Sequence, residues 1–282
     1  MAEPLFQVRG LKVELPDMTR KPLFGSAPLV EILKGLDLDL PRNSVTGIVG
    51  ESGSGKSTLG RALVRLIEPT GGSIAFDGRD ITHLGEQVLK PLRRDLQMIF
   101  QDPMSSLNPR RTIASIIAAP LKQNGLGDNQ RERVTEALRR VGLPESFGTR
   151  YRHELSGGQR QRVGIARALA LNPKFVLADE IVSGLDVSTQ AQILTLLEKL
   201  AAEMGLTVAF ISHDLSVIRR LCSQVIVMRN GEIVEQGPTD ALFAAPRHEY
   251  TRELIAAIPL PEIDPAWLGS TKPSGATKLV QT

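Results

Sequence analysis

One glycine-rich segment has residue types and a spacing that suit the binding of phosphate groups. It fits the Walker A pattern and consists of Gly50, Glu51, Ser52, Gly53, Ser54, Gly55, Lys56, Ser57 and Thr58. The glycines let successive backbone N–H groups curve around phosphate oxygens without clashes from Cβ atoms. Lys56 can reach the β- and γ-phosphates of a nucleotide, and the Ser57 hydroxyl can bind magnesium. We therefore expect the phosphates of a nucleotide, together with magnesium, to bind here.

Two acidic residues supply the partner that such a loop requires. Asp179 and Glu180 directly follow an apolar run at 175–178. Phosphoryl transfer depends mainly on positioning and charge stabilisation, so a metal-holding acid beside a residue that orients water is the expected pair. We expect Asp179 to hold magnesium, usually through water, and Glu180 to orient and polarise the attacking water.

The phosphate-binding segment must be held between a strand and a helix. An apolar run at 45–49 opens into it, and apolar periodicity follows at 58–67, which predicts strand, loop and helix in that order. Strand and helix patterns then alternate over 175–221, which predicts a mostly parallel sheet flanked by helices. Asp77-Gly78 and Asn230-Gly231, each between extended flanks, predict antiparallel hairpins.

The remaining segments suggest a domain plan. Helical spacing broken by glycine and proline predicts a helical insertion, placed at about 102–170. We predict one nucleotide-binding domain over 1–260 that contains this insertion. The residues at 261–282 are rich in Pro, Gly, Ser and Thr, and they predict a disordered tail.

Composition excludes several classes of protein. The 282 residues carry a formal net charge of only +3, too little to indicate a nucleic-acid partner. A single cysteine, Cys222, excludes an intramolecular disulfide framework. No apolar run approaches the roughly 18 residues of a membrane-spanning helix, and the first residues do not resemble a signal peptide.

A short motif upstream of the acidic pair identifies a resemblance. Leu155 is followed by Ser156, Gly157, Gly158 and Gln159, which matches the signature of ATP-binding-cassette (ABC) ATPases. Ser156 can cap a helix whose free N–H groups and two glycines form a second anion site. The resemblance implies that two cassettes pair head to tail and that the signature of one closes over the ATP of the other.

Three further motifs occur along the chain in the order found in that family. Gln101 stands where the family has its Q-loop, which implies a contact with nucleotide and magnesium and a link to the helical insertion. The segment 183–186 resembles the D-loop, which implies that Asp186 lies at the nucleotide in the dimer interface. His213 resembles the switch histidine that contacts the γ-phosphate. The resemblance thus makes Glu180, His213 and Gln101 the catalytic candidates.

Two stretches resemble one branch of the family. Residues 101–110 look like the Q-loop region of peptide/nickel-type importer ATPases, and 248–254 look like their C-terminal segment. The resemblance implies an ATPase subunit on the cytoplasmic face of the inner membrane that drives uptake, with peptides as the leading solute. It also implies a second ABC ATPase subunit in a homo- or heterodimer, two transmembrane permease subunits and an extracytoplasmic solute-binding protein. Opines, sugars and nickel stay open as solutes.

The sequence also departs from the family pattern. Ile181 replaces the usual proline and Gly184 the usual alanine, which predicts a looser turn into the D-loop. The aromatic residue that stacks on adenine is not evident: Glu14 stands near its place, and Phe24 is a possible substitute. Because one cysteine cannot hold the iron–sulfur cluster of some members, we predict none.

Two other functions compete with that of an importer ATPase. A regulatory subunit would bind nucleotide while a paralogue hydrolyses it, and Ile181 keeps this alternative open. A soluble ABC protein acting on nucleic acid or ribosomes would carry a long coiled-coil insertion or two fused cassettes. This chain has neither, so that alternative is disfavoured.

Overall fold

The computed structural model of the chain describes residues 3–17, 19 and 25–258. The predicted tail at 261–282 and the candidate adenine-stacking residue Phe24 lie outside the described residues. Glu14 is within them. It lies exposed on the first strand, opposite Glu31 of the second.

Within the described residues, ten strands form two sheets. In chain order they are β1 (Phe6–Pro16), β2 (Leu29–Leu40), β3 (Val45–Val49), β4 (Gly71–Phe76), β5 (Arg79–Asp80), β6 (Leu96–Ile99), β7 (Phe175–Asp179), β8 (Thr207–Ile211), β9 (Gln224–Arg229) and β10 (Glu232–Pro238). The central sheet has the order β10-β9-β3-β8-β7-β6 and is parallel except for the β9–β10 pair. The second sheet, β2-β1-β4-β5, is antiparallel. This confirms the predicted parallel core with an antiparallel β subdomain.

Ten α-helices accompany the sheets in the described part of the chain. They are α1 (Lys56–Leu63), α2 (Glu86–Leu92), α3 (Pro103–Ser106), α4 (Ile113–Gln123), α5 (Gln130–Arg140), α6 (Gly157–Leu169), α7 (Val187–Met204), α8 (Leu215–Leu221), α9 (Thr239–Ala244) and α10 (Glu249–Ala256). Four of them, α3 to α6, lie between β6 and β7 and form the helical insertion. None of the helices described is long and apolar enough to cross a membrane.

The turns that the sequence predicts most directly are present. Asp77 and Gly78 join β4 to β5 with φ of 52° and 76°, and Asn230 and Gly231 join β9 to β10 with φ of 49° and 82°. Positive φ at both central residues is the geometry of the type I′ hairpin, which asparagine, aspartate and glycine tolerate best. Both predicted hairpins are therefore confirmed.

Helix α1 is shorter than its apolar pattern indicates. The periodicity continues to Ile67, yet the helix ends at Leu63. Arg65 has a φ of 55°, which is left-handed and stops the helix. Its buried guanidinium donates hydrogen bonds to backbone carbonyl oxygens, among them that of Ile81 at 2.8 Å. Tertiary hydrogen bonding thus stabilises an early stop that the local pattern does not reveal.

The central sheet separates two hydrophobic cores. Along β7, Val176 and Ala178 face one core, whereas Phe175 and Leu177 face the other. A strand that is buried on both faces is apolar throughout, as expected for a parallel sheet covered on both sides. Because every residue of β7 is buried, its polar carboxyl end has one fixed position. That end carries Asp179.

Candidate functional site

The phosphate-binding segment joins β3 to α1 and has a backbone that requires glycine. Gly50, Gly53 and Gly55 have φ of 148°, 82° and 99°, a region that residues with a Cβ rarely adopt. A Cβ on Gly50 would also lie 2.1 Å from the carbonyl oxygen of Met228, at the end of β9. The loop is thus fixed both by its own torsions and by close packing against the sheet.

Lys56 lies buried at the base of this loop. Its Nζ donates hydrogen bonds to the carbonyl oxygens of Gly50, at 2.8 Å, and Glu51, at 2.7 Å. Burial lowers the pKa of Lys56, and the carboxylates of Glu180 and Asp179 act in the opposite direction. The ammonium group is therefore held inside the loop, where phosphates would enter.

Ser57 and Asp179 meet beside Lys56, although 122 residues separate them. The Ser57 hydroxyl donates to Oδ1 of Asp179 across 3.1 Å. Burial raises the pKa of Asp179, whereas the hydrogen bond from Ser57 lowers it. Two adjacent oxygen ligands suit a hard cation such as Mg²⁺, which prefers oxygen and retains several waters.

Glu180, Gln101 and His213 converge next to that pair. The Gln101 side-chain amide donates to the Glu180 carboxylate at 2.9 Å, and Nδ1 of His213 lies 3.8 Å from the same carboxylate. Glu180 has a φ of 48°, held by hydrogen bonds from its N–H to the Ile211 carbonyl and from the Ser183 N–H to its own carbonyl, each at 3.1 Å. A strained backbone at a polar cluster often marks a functional site.

A small cavity lies within this cluster. It has a volume of about 50 Å³ and is lined in part by Glu180, Ser183 and His213. A site of this size that has several polar partners can hold a water molecule. The cavity therefore offers space for water beside the Glu180 carboxylate.

The turn that follows Glu180 is better held than its sequence predicts. Ile181 replaces the family's proline, yet its side chain is buried in the core, and the Leu185 N–H donates to the Val182 carbonyl at 3.3 Å. Gly184 has a φ of 75°, where an alanine would be strained. Burial of Ile181 thus offsets the expected looseness of this turn. At position 184, glycine suits the backbone conformation.

The signature residues begin helix α6. The Gln159 N–H donates to the Ser156 hydroxyl at 3.3 Å, and the Ser156 N–H donates to Oε1 of Gln159 at 3.0 Å, a reciprocal capping box. The predicted capping role of Ser156 is confirmed. A Cβ on Gly157 would lie 3.3 Å from Leu185, and one on Gly158 would lie 2.5 Å from Cγ2 of Thr189. The two glycines therefore let the start of α6 pack closely against the start of α7.

Asp186 caps helix α7. Its carboxylate accepts hydrogen bonds from the Thr189 N–H at 2.9 Å and from the hydroxyls of Thr189 and Ser188, each at 2.7 Å. These bonds lower the pKa of Asp186 to about 2. Both oxygens are thus engaged by the helix itself, and the contact with nucleotide stays a prediction.

Sequence reasoning did not single out Tyr250, which also contacts the phosphate-binding segment. This side chain of α10 is 1% exposed, and its hydroxyl accepts a hydrogen bond from the Glu51 N–H at 2.8 Å. The two residues are 199 positions apart. The only available signal was that 248–254 resembles the C-terminal segment of one family branch, which carried no role for a particular residue.

Comparison with family models gives two matches. The model described as "ABC transporter" matches residues 33–183, more than half of the chain. The model described as "Oligopeptide/dipeptide transporter, C-terminal region" matches residues 234–281, which include α10.

Curated relatives are similar over most of this chain. The glutathione import ATP-binding protein GsiA of Salmonella typhimurium (strain LT2) is 51% identical over 261 residues, which are 92% of this chain and 42% of that protein. A putative peptide import ATP-binding protein of Brucella abortus (strain 2308) is 50% identical over 263 residues, 93% of this chain and 80% of that protein. The chain therefore spans less than half the length of GsiA and most of the Brucella protein.

Solved structures share the fold. The ATP-binding cassette MJ0796, solved as a dimer in a post-hydrolysis state with ADP and Pi, has a TM-score of 0.72 and 31% identity, and covers 83% of this chain and 98% of its own. The protein cbiO1 of Clostridium perfringens has a TM-score of 0.74 and 30% identity, with 86% and 92% covered. These likenesses confirm the predicted α/β P-loop NTPase fold of ABC type. The chain belongs to the ABC transporter ATPases, in the group that carries the oligopeptide/dipeptide transporter C-terminal region.

Proposed function

We propose that this chain is the ATP-binding and ATP-hydrolysing subunit of a bacterial ABC importer that takes up small peptides. One observation carries the hydrolytic part: Gln101 and His213 each lie within 4 Å of the Glu180 carboxylate, beside the phosphate-binding loop. The importer class rests on the match to the oligopeptide/dipeptide C-terminal region and on relatives named for glutathione and peptide import. Glutathione is itself a tripeptide, so both names belong to one solute class.

The residues divide the chemistry among them. Backbone N–H groups of 50–58 and Lys56 bind the phosphates, while Ser57, Asp179 and Gln101 hold magnesium, whose charge neutralises phosphate oxygens when it is bound. Glu180 orients a water molecule for attack in line with the γ-phosphate and polarises it. His213 contacts the γ-phosphate. The cavity beside Glu180 supports this assignment because it has room for the water.

A complete ATP site requires a second cassette. The start of α6 has Gly157 and Gly158 between its two capping residues, Ser156 and Gln159, and it presents the positive end of a helix dipole. In the proposed dimer, this helix start binds the γ-phosphate held by the partner, and Asp186 lies at the same interface. The dimeric structure of MJ0796 supports this pairing.

Closing of the proposed dimer pulls on the helical insertion, which transmits the movement to the permeases. The Arg167 guanidinium of α6 donates to the Ser106 carbonyl at 2.6 Å, which ties the signature helix to the segment after Gln101. Beside this segment is a groove of about 790 Å³ between α2 and α4, where Leu66 and Phe100 are exposed apolar residues. We assign the groove to a cytoplasmic segment of a permease, which would hold the chain at the cytoplasmic face of the inner membrane. In this proposal the nucleotide-binding domain spans 1–260, and its helical insertion spans about 102–170.

Reconstitution tests this function. The subunit is purified with its co-expressed permeases, placed in lipid vesicles and supplied with the binding protein that co-purifies with them. Di- and tripeptides, including glutathione, should stimulate ATP hydrolysis and enter the vesicles. Uptake of nickel, a sugar or an opine alone would overturn the peptide assignment but not the ATPase. Absence of ATP hydrolysis in the complex would instead favour the regulatory alternative.

A further inference from the structure

The C-terminal region contacts the phosphate-binding loop through the buried side chain of Tyr250. Tyr250 lies in the segment 234–281 that marks the importer group, outside the 33–183 match to ABC transporters in general. Its hydroxyl accepts a hydrogen bond from the backbone N–H of Glu51, the second residue of the phosphate-binding loop, at 2.8 Å. We propose that Tyr250 is a positioning residue that presets this loop for nucleotide, an inference that rests on the proposed ATP-binding function.

The contact acts on Lys56 through one peptide unit. The Tyr250 hydroxyl accepts from the N–H of Glu51, and the Gly50 carbonyl of that same peptide unit accepts from Nζ of Lys56 at 2.8 Å. The Glu51 carbonyl, in the next peptide unit, accepts from the same Nζ at 2.7 Å. Tyr250 thus holds the loop entrance in the orientation that aims two carbonyls at the lysine. A loop that is already ordered loses less conformational entropy when it binds a ligand.

The Tyr250 ring also contacts a residue of the central sheet. The Arg229 guanidinium lies over the ring at 4.7 Å from its centroid, within the range of a cation–π contact. Arg229 follows Met228, whose carbonyl oxygen packs against Gly50. The end of β9, helix α10 and the loop entrance are therefore one packed unit. A displacement of α10 would therefore also displace the loop that binds the phosphates.

Docking of α10 does not depend on the tyrosine hydroxyl. The Glu235 carboxylate of β10 accepts hydrogen bonds from the N–H groups of Arg247, at 2.9 Å, and His248, at 3.0 Å. Nδ1 of His248 in turn accepts from the Tyr250 N–H at 3.1 Å. Removing only the hydroxyl should therefore leave the helix in place. Removal of the hydroxyl alone can therefore distinguish a positioning role of Tyr250 from a purely structural one.

The test compares Tyr250→Phe with Tyr151→Phe, because the chain has only two tyrosines. Calorimetry on the full chain with ADP and magnesium should show ADP affinity reduced about 5- to 10-fold in Tyr250→Phe, the effect of one hydrogen bond. Tyr151 is 40% exposed, and its variant should stay within about twofold of wild type. A merely structural role would lower the melting temperature and leave ADP affinity unchanged, which would overturn the proposal.

A second measurement needs no mutation at the site. With 3-fluorotyrosine in place of both tyrosines, the chain gives two ¹⁹F resonances, and Tyr151→Phe assigns them by removing one. Saturating ADP should shift the Tyr250 resonance. An unmoved resonance in a protein that calorimetry shows to bind ADP would refute the contact. A wild-type chain that binds no ADP would refute the proposed function instead, so the two failures are distinguishable.

Discussion

The side-chain amide of Gln101 donates a hydrogen bond to the Glu180 carboxylate across 2.9 Å. Gln101 follows β6 and Glu180 follows β7, so the contact spans the carboxyl ends of two parallel neighbouring strands. The segment after Gln101 leads into the helical insertion. A movement of the insertion would therefore displace the group that holds Glu180, and under the proposed function this would couple partner binding to the positioning of water.

Glu180→Gln should block turnover while nucleotide binding is retained. The amide keeps the size of the side chain but loses the charge that polarises water, and general-base catalysis contributes about 10²- to 10⁴-fold. We expect phosphate release by the assembled complex to fall at least about 100-fold, and ATP to trap a dimer detectable by gel filtration. Glu198→Gln, at an exposed position on α7, is the matched control. Unchanged turnover in Glu180→Gln would show that the catalytic assignment is wrong.

Lys56→Ala should weaken nucleotide binding. The substitution removes the ammonium group that Gly50 and Glu51 hold at the base of the loop. Hydrogen bonds to charged groups contribute about 1.5–3 kcal/mol, so ADP affinity should fall about 10- to 100-fold in calorimetry. Lys199→Ala, an exposed lysine of α7, should bind as wild type does. Equal affinities in the two variants would exclude the phosphate-binding role.

Gly50→Ala should destabilise the protein even without nucleotide. Its Cβ would lie 2.1 Å from the Met228 carbonyl oxygen, and the φ of 148° is strained for alanine. Overpacking and backbone strain together should lower the free energy of unfolding by about 2–4 kcal/mol in urea titrations. Gly127→Ala is the control, because no atom lies within 4 Å of its added Cβ. A Gly50→Ala variant as stable as this control would contradict the described packing.

Asp179→Asn should change stability in a pH-dependent way. Burial raises the folded-state pKa of Asp179, so the folded protein binds this proton more tightly than the unfolded chain does. The contribution of Asp179 to stability is therefore present below its unfolded pKa of about 3.9 and is lost as pH rises through the folded value.

The nucleotide-free Asp179→Asn variant should accordingly melt at a higher temperature than wild type at pH 7, and the difference should shrink toward pH 4. ATP turnover should be lost because the proposed magnesium ligand is missing. Differential scanning calorimetry across pH measures the first effect, with the exposed Asp128→Asn as control. A melting difference that is constant from pH 7 to pH 4 would show that the buried carboxylate is not its source.

Local patterns predicted those parts of the molecule that depend on local physics. Asp77-Gly78 and Asn230-Gly231 predicted hairpins because few residues tolerate positive φ at both turn positions. Ser156 predicted a helix start because its hydroxyl can satisfy a free N–H. In each case the residues that decide the structure are neighbours in the chain.

Contacts between distant segments were not predictable in the same way. The hydrogen bond between Tyr250 and Glu51 joins residues 199 positions apart, and no periodicity reports such a pair. The early end of α1 depends on Arg65 donating to the carbonyl of Ile81, across a different element. The burial of Ile181 likewise depends on how the sheet and helices pack around it. These features follow from tertiary packing, which overrides local preference.

The close approach of Gly158 to Thr189 also constrains how this sequence can change. A Cβ at position 158 would lie 2.5 Å from the Thr189 methyl group, so a lone Gly158→Ala change would force the starts of α6 and α7 apart. Shortening the side chain at 189, as in Thr189→Ser, would remove that methyl group and give back the space. We therefore expect these two positions to be substituted together in relatives, with the smaller residue at 189 wherever 158 is not glycine.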